Sequence, residues 1–448
     1  MACCQGYPFI AGGERVFEVD TSRIAYGSGA MRELGRHARL LDHKRVAVFT
    51  DPVVARLERF AAAVRELREA GCAVAVYDRV RIEPTNESFG EAIGFARDFR
   101  PDGYVSIGGG SSIDTAKAAS LYATFPADFL AYVNAPIGEG RPIPGPLPPH
   151  IACPTTAGTG SECTGIAVFD YLPIEAKTGI ASRRLRPALA LIDPDWTATL
   201  PPMVVACAGF DVLAHALESY TARPYTRRAA GQPGARPLAQ GANPFSDVAC
   251  IEALRILGRY LVRAVRDPAD AEARERMMFA ATLAGIGFGN SGVHVPHAMA
   301  YAVAGLVREF RPSGYPDDAP LVPHGMAVIL NAPAAFRRTA AADPQRHRAA
   351  AHYLGARVED TSLAESGERL AARIAELMRA TGLPADLAEV GYGPDDLDAL
   401  VTGTSAQQRL LANAPCAIDD RALRELFADA LHARADASPS PAAIAGAV

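Results

Sequence analysis

The chain has 448 residues, 49% of them hydrophobic and 21% charged, with a formal net charge of −5. That length exceeds what one hydrophobic core usually holds, so two domains are expected. A mildly acidic chain without clusters of Lys, Arg and aromatic residues points away from nucleic acid, and no uninterrupted apolar run approaches the ~20 residues of a membrane span. The opening MACCQGYPFIAGGERVFEVD lacks a basic, apolar leader and carries acids early, unlike a signal or transit peptide. Eight scattered cysteines without a CxxC pair read as reduced thiols. These features together predict a cytoplasmic enzyme that acts on small molecules.

In chain order, RVAVFTD (45–51) is a predicted strand, followed by an amphipathic helix at FAAAVRELREAG (60–71). AVAVYD (73–78) is a second strand and EAIGFARDF (91–99) a second helix. DGYVSIGGGSSIDTAKAASLYA (102–123) reads as strand, glycine turn and helix, and PHIACPTTAGTG (149–160) and LALIDP (189–194) supply further strands. Such alternation predicts a parallel sheet with helices on both faces. After LPP (200–202) helical patterns dominate to residue 435. The expected fold is therefore an α/β domain over 1–200 and an all-α domain over 201–448. Segments 223–247 and 308–323 are Pro/Gly-rich loops of a length that is often functional, and the tail SPSPAAIAGAV is expected to fray. No internal repeat is visible.

Three groups of residues carry chemistry. Gly108, Gly109 and Gly110 separate a strand from a helix beginning Ser111-Ser112-Ile113-Asp114. Glycines there admit a ligand close to the backbone, and the helix start offers free N–H groups to a phosphate. The pattern is not GxGxxG, and a tight turn is the plain alternative. GSGAMR (27–32) is set aside because no convincing strand precedes it. Thr155, Thr156 and Thr159 lie in a second polar loop after a strand, which suits a phosphate or ribose and equally an ordinary turn with an N-cap. Asp51, at a strand's carboxyl end, suits a ribose hydroxyl or an ordinary N-cap.

The third group is Asp211, His215, His297 and His324. Asp211 and His215 are four apart and share a helical face. One carboxylate and three imidazoles suit Zn²⁺ or Fe²⁺ better than Ca²⁺ or Mg²⁺. A hydrogen-bonded helix pair and two core histidines fit the same spacing. His294, three residues before His297, is a fifth candidate.

GGGSSIDTAKA, PTTAGTGSE, IDP, GFDVLAHALESY, HAMAY and LVPHG, in this order, resemble the iron-containing (group III) alcohol dehydrogenase family over almost the whole chain. VRIEPTNESFGEAIGFAR, APIGEGRPIPGPL and GIGFGNSGVHVPHAMAYAVAGLV are similar to its transhydrogenase branch. The resemblance implies a dinucleotide-binding α/β domain, a helical domain and a cleft between them, as in the architecture shared with dehydroquinate synthase. It implies NAD held by Asp51, Gly109, Gly110, Ser111, Asp114, Thr155, Thr156, Thr159 and Lys177. A divalent metal, Fe²⁺ or Zn²⁺, falls on Asp211, His215, His297 and His324. Many family dehydrogenases carry a proton-relaying His where this chain has Tyr301, as the transhydrogenase branch does. Tyr301 and His294 are the expected catalytic residues: Tyr301 either shuttles a proton or packs beside the nicotinamide ring, and His294 supports a metal-ligating histidine.

The implied reaction is hydride transfer from 4-hydroxybutyrate to 2-oxoglutarate, giving succinate semialdehyde and 2-hydroxyglutarate, in a homodimer. A dehydrogenase that releases NAD each turnover is the alternative, and a dehydroquinate-synthase-like lyase is a further one. Carboxylate substrates need cations, and Arg223, Arg227, Arg228 and Arg308, in or beside the two long loops, are candidates.

Overall fold

A computed structural model describes residues 7–174, 176–232, 234, 236–317 and 319–432. The tail expected to fray and Cys3 and Cys4 lie outside the described residues. The N-terminal half holds strands β1 (Arg23–Tyr26), β2 (Arg45–Phe49), β3 (Ala73–Tyr77), β4 (Gly103–Gly108) and β5 (His150–Pro154), then β6 (Ile166–Tyr171), β7 (Ala176–Ala181) and β8 (Leu189–Ile192). Six of them form one parallel sheet in the order β1-β8-β5-β4-β2-β3, while β6 and β7 pair as an antiparallel hairpin.

Period-two alternation explains the sheet's two covers. Val46 and Val48 of β2 face one apolar cluster with α1 (Leu34–Leu40) and α2 (Glu58–Glu69). Ala47 and Phe49 face the opposite cluster with α3 (Asn86–Phe99) and α4 (Gly110–Thr124). Helix α2 buries Phe60, Ala63, Val64 and Leu67, the i, i+3, i+4, i+7 stripe of an amphipathic helix. Strands β4 and β5 are buried at every residue, which is why they read as continuous apolar runs.

From β2 the chain steps outward to β3, then returns to place β4 on the other side of β2. The sheet therefore reverses direction between β2 and β4, and the crevice at the carboxyl ends of such a pair is where open α/β sheets bind ligands. Asp51 follows β2 and the glycine turn follows β4.

Among the described residues that follow, the regular elements are helices: α5 (Pro202–Thr221), α6 (Pro244–Arg266), α7 (Ala271–Ser291), α8 (Val295–Gly305), α9 (His324–Thr339), α10 (Pro344–Tyr353), α11 (Ser366–Thr381), α12 (Leu397–Ser405), α13 (Gln408–Leu411) and α14 (Asp420–Ala430). Helix α5 is long and apolar enough to cross a membrane by length and composition. However, 78% of its most apolar window is buried here, packed against α6, α7 and α9. The expected α/β half followed by an all-α half is what the chain forms.

Two elements differ from expectation. RIAY forms strand β1, so a strand does precede GSGAMR; that loop still lies away from the crevice, because β1 is the sheet edge three strands from β4. The β6–β7 hairpin is also additional, its pattern broken by the turn at Leu172–Ile174.

Candidate functional site

Two connected lobes of about 1080 and 920 Å³ open between the sheet's carboxyl edge and the helices. They share Glu83, Gly110, Ser111, Thr159, Asp211 and His324 as walls. Asp51, Gly109, Thr155 and Thr156 line the first lobe. No side chain caps α4, and Gly110 and Ser111 at its start line both lobes, which leaves their N–H groups available to a phosphate. The glycines there are required by close approach. A Cβ on Gly110 would lie 2.5 Å from the Thr159 side chain, and one on Gly108 would lie 2.3 Å from Ser112 Oγ, with Asp51 Oδ2 next at 3.5 Å. Asp51 Oδ1 accepts from the Val53 and Val54 N–H groups at 2.8 and 2.9 Å, fixing the carboxylate while Oδ2 faces the turn. Its carboxylate therefore braces the turn that leads into Val54–Arg56 and is also a wall of the lobe.

Asp114 sits deeper. Its Oδ1 accepts from Ser161 Oγ at 2.5 Å, its Oδ2 from Val168 N–H at 2.9 Å, and Lys117 Nζ lies 3.5 Å away. Burial pushes the Asp114 carboxyl up against the pull of Lys117. The residue ties α4 to the Thr-rich loop and to β6 while lining the second lobe. Lys177 does not line either lobe. Its ammonium is buried between Glu83 Oε2 at 2.6 Å and Asp170 Oδ1 at 2.8 Å, and these acids outweigh burial and raise its pKa. Its ammonium is thus engaged by these two acids, of which Glu83 is a wall of both lobes.

The second lobe gathers the ligand-type residues. Asp211 Oδ1 lies 3.6 Å from His215 Nε2, 3.6 Å from His297 Nε2 and 3.7 Å from His324 Nε2. These separations are too long for hydrogen bonds. Asp211 Oδ1 and His297 Nε2 are accordingly buried without a hydrogen-bond partner among the described residues. An orphaned buried acceptor costs about 1–3 kcal/mol. Tetrahedral bonds of ~2.1 Å would set donors about 3.4 Å apart, so the cluster has the dimensions and donor types of a Zn²⁺ or Fe²⁺ site.

Local packing explains how three distant helices meet there. His215 is one turn after Asp211 on α5, and its ring stacks on Phe288 of α7 with centroids 3.9 Å apart. His324 opens α9, and the next residue is Gly325. A Cβ there would fall 2.0 Å from the Cys207 carbonyl oxygen, so glycine lets α9 approach α5. His297 is aimed by Glu218, whose Oε1 lies 2.5 Å from His297 Nδ1. That contact leaves Nε2 directed at Asp211. Glu218 also accepts from the His294 N–H at 2.6 Å.

Burial, with His297 and His324 nearby, drives His215 down to about 3, so it stays neutral with a lone pair available. For His297, Glu218 and Asp211 overcome the effect of burial and push the imidazole up to about 9. Burial opposes a charge on Asp211, yet the surrounding imidazoles hold its carboxyl below the usual range.

Tyr301 lines the second lobe, its ring 6.3 Å from that of His324. Burial raises its phenol pKa, so the hydroxyl remains protonated near neutrality. His294 departs from the expected catalytic placement. Its Nδ1 accepts from Val295 N–H at 2.7 Å, its Nε2 lies 3.1 Å from Thr221 Oγ1, and it lines neither lobe. It caps α8 and touches the site only through its backbone N–H on Glu218. The four candidate arginines also lie elsewhere. Arg308 pairs with Asp396, Arg223 and Arg228 donate to backbone carbonyls within the 223–247 segment, and Arg227 lines neither lobe.

Glu218 was missed, although it stands seven residues after Asp211 and three after His215, on the same helical face. Arg409, also missed, lines the second lobe and carries no signal in AQQRLL that points there.

The family description iron-containing alcohol dehydrogenase matches residues 21–194, and its C-terminal counterpart, Fe-containing alcohol dehydrogenase family, matches 238–431. The chain belongs to the iron-containing alcohol dehydrogenase family. It is an oxidoreductase. It is 47% identical to the mitochondrial hydroxyacid-oxoacid transhydrogenase of Rattus norvegicus over 414 residues, 92% of this chain and 89% of the relative. Among solved structures, a 1,3-propanediol oxidoreductase superposes with a TM-score of 0.81 at 27% identity, covering 93% of this chain and 100% of the other. Sulfoacetaldehyde reductase from Bifidobacterium kashiwanohense, solved in complex with NAD⁺, gives 0.75 at 25% identity, covering 94% and 100%. The expectation of a cytoplasmic enzyme is corrected: the transhydrogenase relatives are named as mitochondrial. That expectation rested on the composition of the first twenty residues, which carries no address by itself.

Proposed function

We propose that the chain is a hydroxyacid–oxoacid transhydrogenase, moving hydride from 4-hydroxybutyrate to 2-oxoglutarate by way of NAD. The observation that carries this reading is the orphaned Asp211 Oδ1 ringed by three imidazole nitrogens, in the same cleft as an uncapped helix start. The 47% identity to transhydrogenases supports the acceptor half of the reaction.

Asp211, His215, His297 and His324 would hold Fe²⁺ or Zn²⁺. Gly109, Gly110, Ser111 and the threonine loop would hold the pyrophosphate side of NAD, and Asp51 the adenosine ribose. When bound, the cation supplies Lewis acidity for a developing alkoxide, and the nicotinamide supplies a hydride carrier.

The chain's own residues do the rest. Glu218 holds the His297 Nδ1 proton, so Nε2 is the nitrogen that would give up its proton when a cation binds and present its lone pair inward. Phe288, flat against His215, excludes water from that side of the cluster. The first-turn N–H groups of α4 face the dinucleotide phosphates. Tyr301 keeps its proton at the phenol oxygen and offers a hydrogen-bond donor, so it serves as a positioning donor rather than a base.

The test is to mix enzyme, 4-hydroxybutyrate and 2-oxoglutarate without added NAD. Formation of succinate semialdehyde and 2-hydroxyglutarate in equal amounts is expected. If nothing forms until NAD⁺ is added, and NAD⁺ is then reduced stoichiometrically, the chain is a releasing dehydrogenase instead.

A further inference from the structure

Almost every charged group around the cleft has an answering group. Glu83 is paired with Lys177, Asp114 with Ser161 and Lys117, and Glu218 with His297. Arg409 is different. It sits in the last turn of α13, lines the second lobe, and makes no ion pair or hydrogen bond among the described residues. Among the described residues it is also the only Lys or Arg on that lobe's wall. A recess of about 390 Å³ adjoins the lobe, and Tyr301, Ile166, Val168 and Arg409 line both spaces. Arg409 thus shares with Tyr301 the boundary between the metal-ligand lobe and this recess.

We propose that Arg409 binds the distal carboxylate of both substrates and sets the preference for hydroxyacids over plain alcohols. This rests on the transhydrogenase reading, which leaves the source of carboxylate recognition unassigned. The chemistry of the two substrates favours a single cation. In 4-hydroxybutyrate two methylenes separate the carbinol carbon from the carboxylate. In 2-oxoglutarate two methylenes separate the keto carbon from the distal carboxylate. One fixed guanidinium therefore holds either molecule with its reacting carbon at the same point before the nicotinamide. The carbinol carbon would lose hydride to the nicotinamide and its hydroxyl a proton to solvent in the first half-reaction, and the keto carbon would gain that hydride and its oxygen a proton in the second. Arg409 exchanges no electrons or protons in either.

A guanidinium suits the task because its planar fork takes a carboxylate through two parallel hydrogen bonds. Arg409 is solvent-exposed before substrate arrives, so an unpaired charge there carries no burial penalty. A neutral four-carbon alcohol gains nothing from it.

The test uses Arg409→Leu and Arg409→Lys in the full-length holoenzyme. KM and kcat are measured for 4-hydroxybutyrate and 2-oxoglutarate, and binding is measured for butyrate and its neutral isostere butyramide. In the wild type, butyrate should bind more tightly than butyramide. Arg409→Leu should abolish that preference and raise both substrate KM values about 100-fold, with kcat less affected. Bound metal and NAD should be unchanged, and Arg409→Lys should recover part of the loss. Equal binding of butyrate by wild type and Arg409→Leu would overturn the proposal, as would loss of metal or NAD with the activity. Wild-type enzyme that prefers butyrate but turns over neither hydroxyacid nor oxoacid would instead defeat the functional reading. The butyrate measurement on Arg409→Leu would still decide the carboxylate site.

Discussion

The two walls of the cleft treat their buried polar atoms in opposite ways. On the sheet side Lys117 is fully buried, yet its ammonium donates to the Ser161 carbonyl and hydroxyl and to the Ile166 carbonyl, with Asp114 alongside. On the helical side Asp211 Oδ1 and His297 Nε2 are equally buried and have no such partners. A satisfied network holds elements together, whereas converging, unsatisfied donors describe the outline of something to be bound. The difference separates residues whose loss should cost folding from residues whose loss should cost metal.

Three substitutions sharpen that contrast, from the largest effect to the smallest. Lys117→Met strips the cation from a buried carboxylate, a change that costs about 3–5 kcal/mol. A markedly lower melting temperature is expected with metal content per folded protein unchanged, and an unaltered melt would place Lys117 outside the structural network. Glu218→Gln weakens the orientation of His297 without removing a ligand. Competition with a chelator should show metal affinity falling about 10–100-fold while the melt of the metal-free protein moves less. An unchanged affinity would mean that packing alone aims His297. Tyr301→Phe removes one hydrogen-bond donor and should lower kcat by no more than about 10-fold, with metal retained. A fall of several orders of magnitude would show that the phenol carries a proton in the reaction.

Much of this was legible from the chain. Strands β2, β4 and β5 are buried on both faces and so read as apolar runs, and the glycine turn announces the helix start that follows. Asp211 and His215 declare a shared face through their spacing. His297 and His324 come from separate helices, so spacing alone left them as core histidines or ligands; the resemblance and then the geometry brought them together. Strand β1 escaped notice because four residues at a sheet edge show little alternation, and the β6–β7 hairpin because a proline-containing turn interrupts it. Three residues' separation from His297 suggests a common face for His294, whereas His294 precedes α8, caps it and reaches the cluster through its N–H on Glu218. The resemblance puts Lys177 at a ribose, and Glu83 and Asp170, which approach it from other segments, are partners that no local pattern reveals. Arg409 lies 85 residues beyond His324 and reaches the cleft only through the packing of α13 against α8.

The claim on which the account turns is that Asp211, His215, His297 and His324 bind one divalent cation. Elemental analysis of purified wild-type protein beside Asp211→Asn and His297→Ala tests it most directly, with circular dichroism confirming that the variants are folded. About one equivalent of iron or zinc is expected in the wild type and a small fraction of that in each variant, with activity lost in parallel. Folded variants that retain wild-type metal content would contradict the assignment.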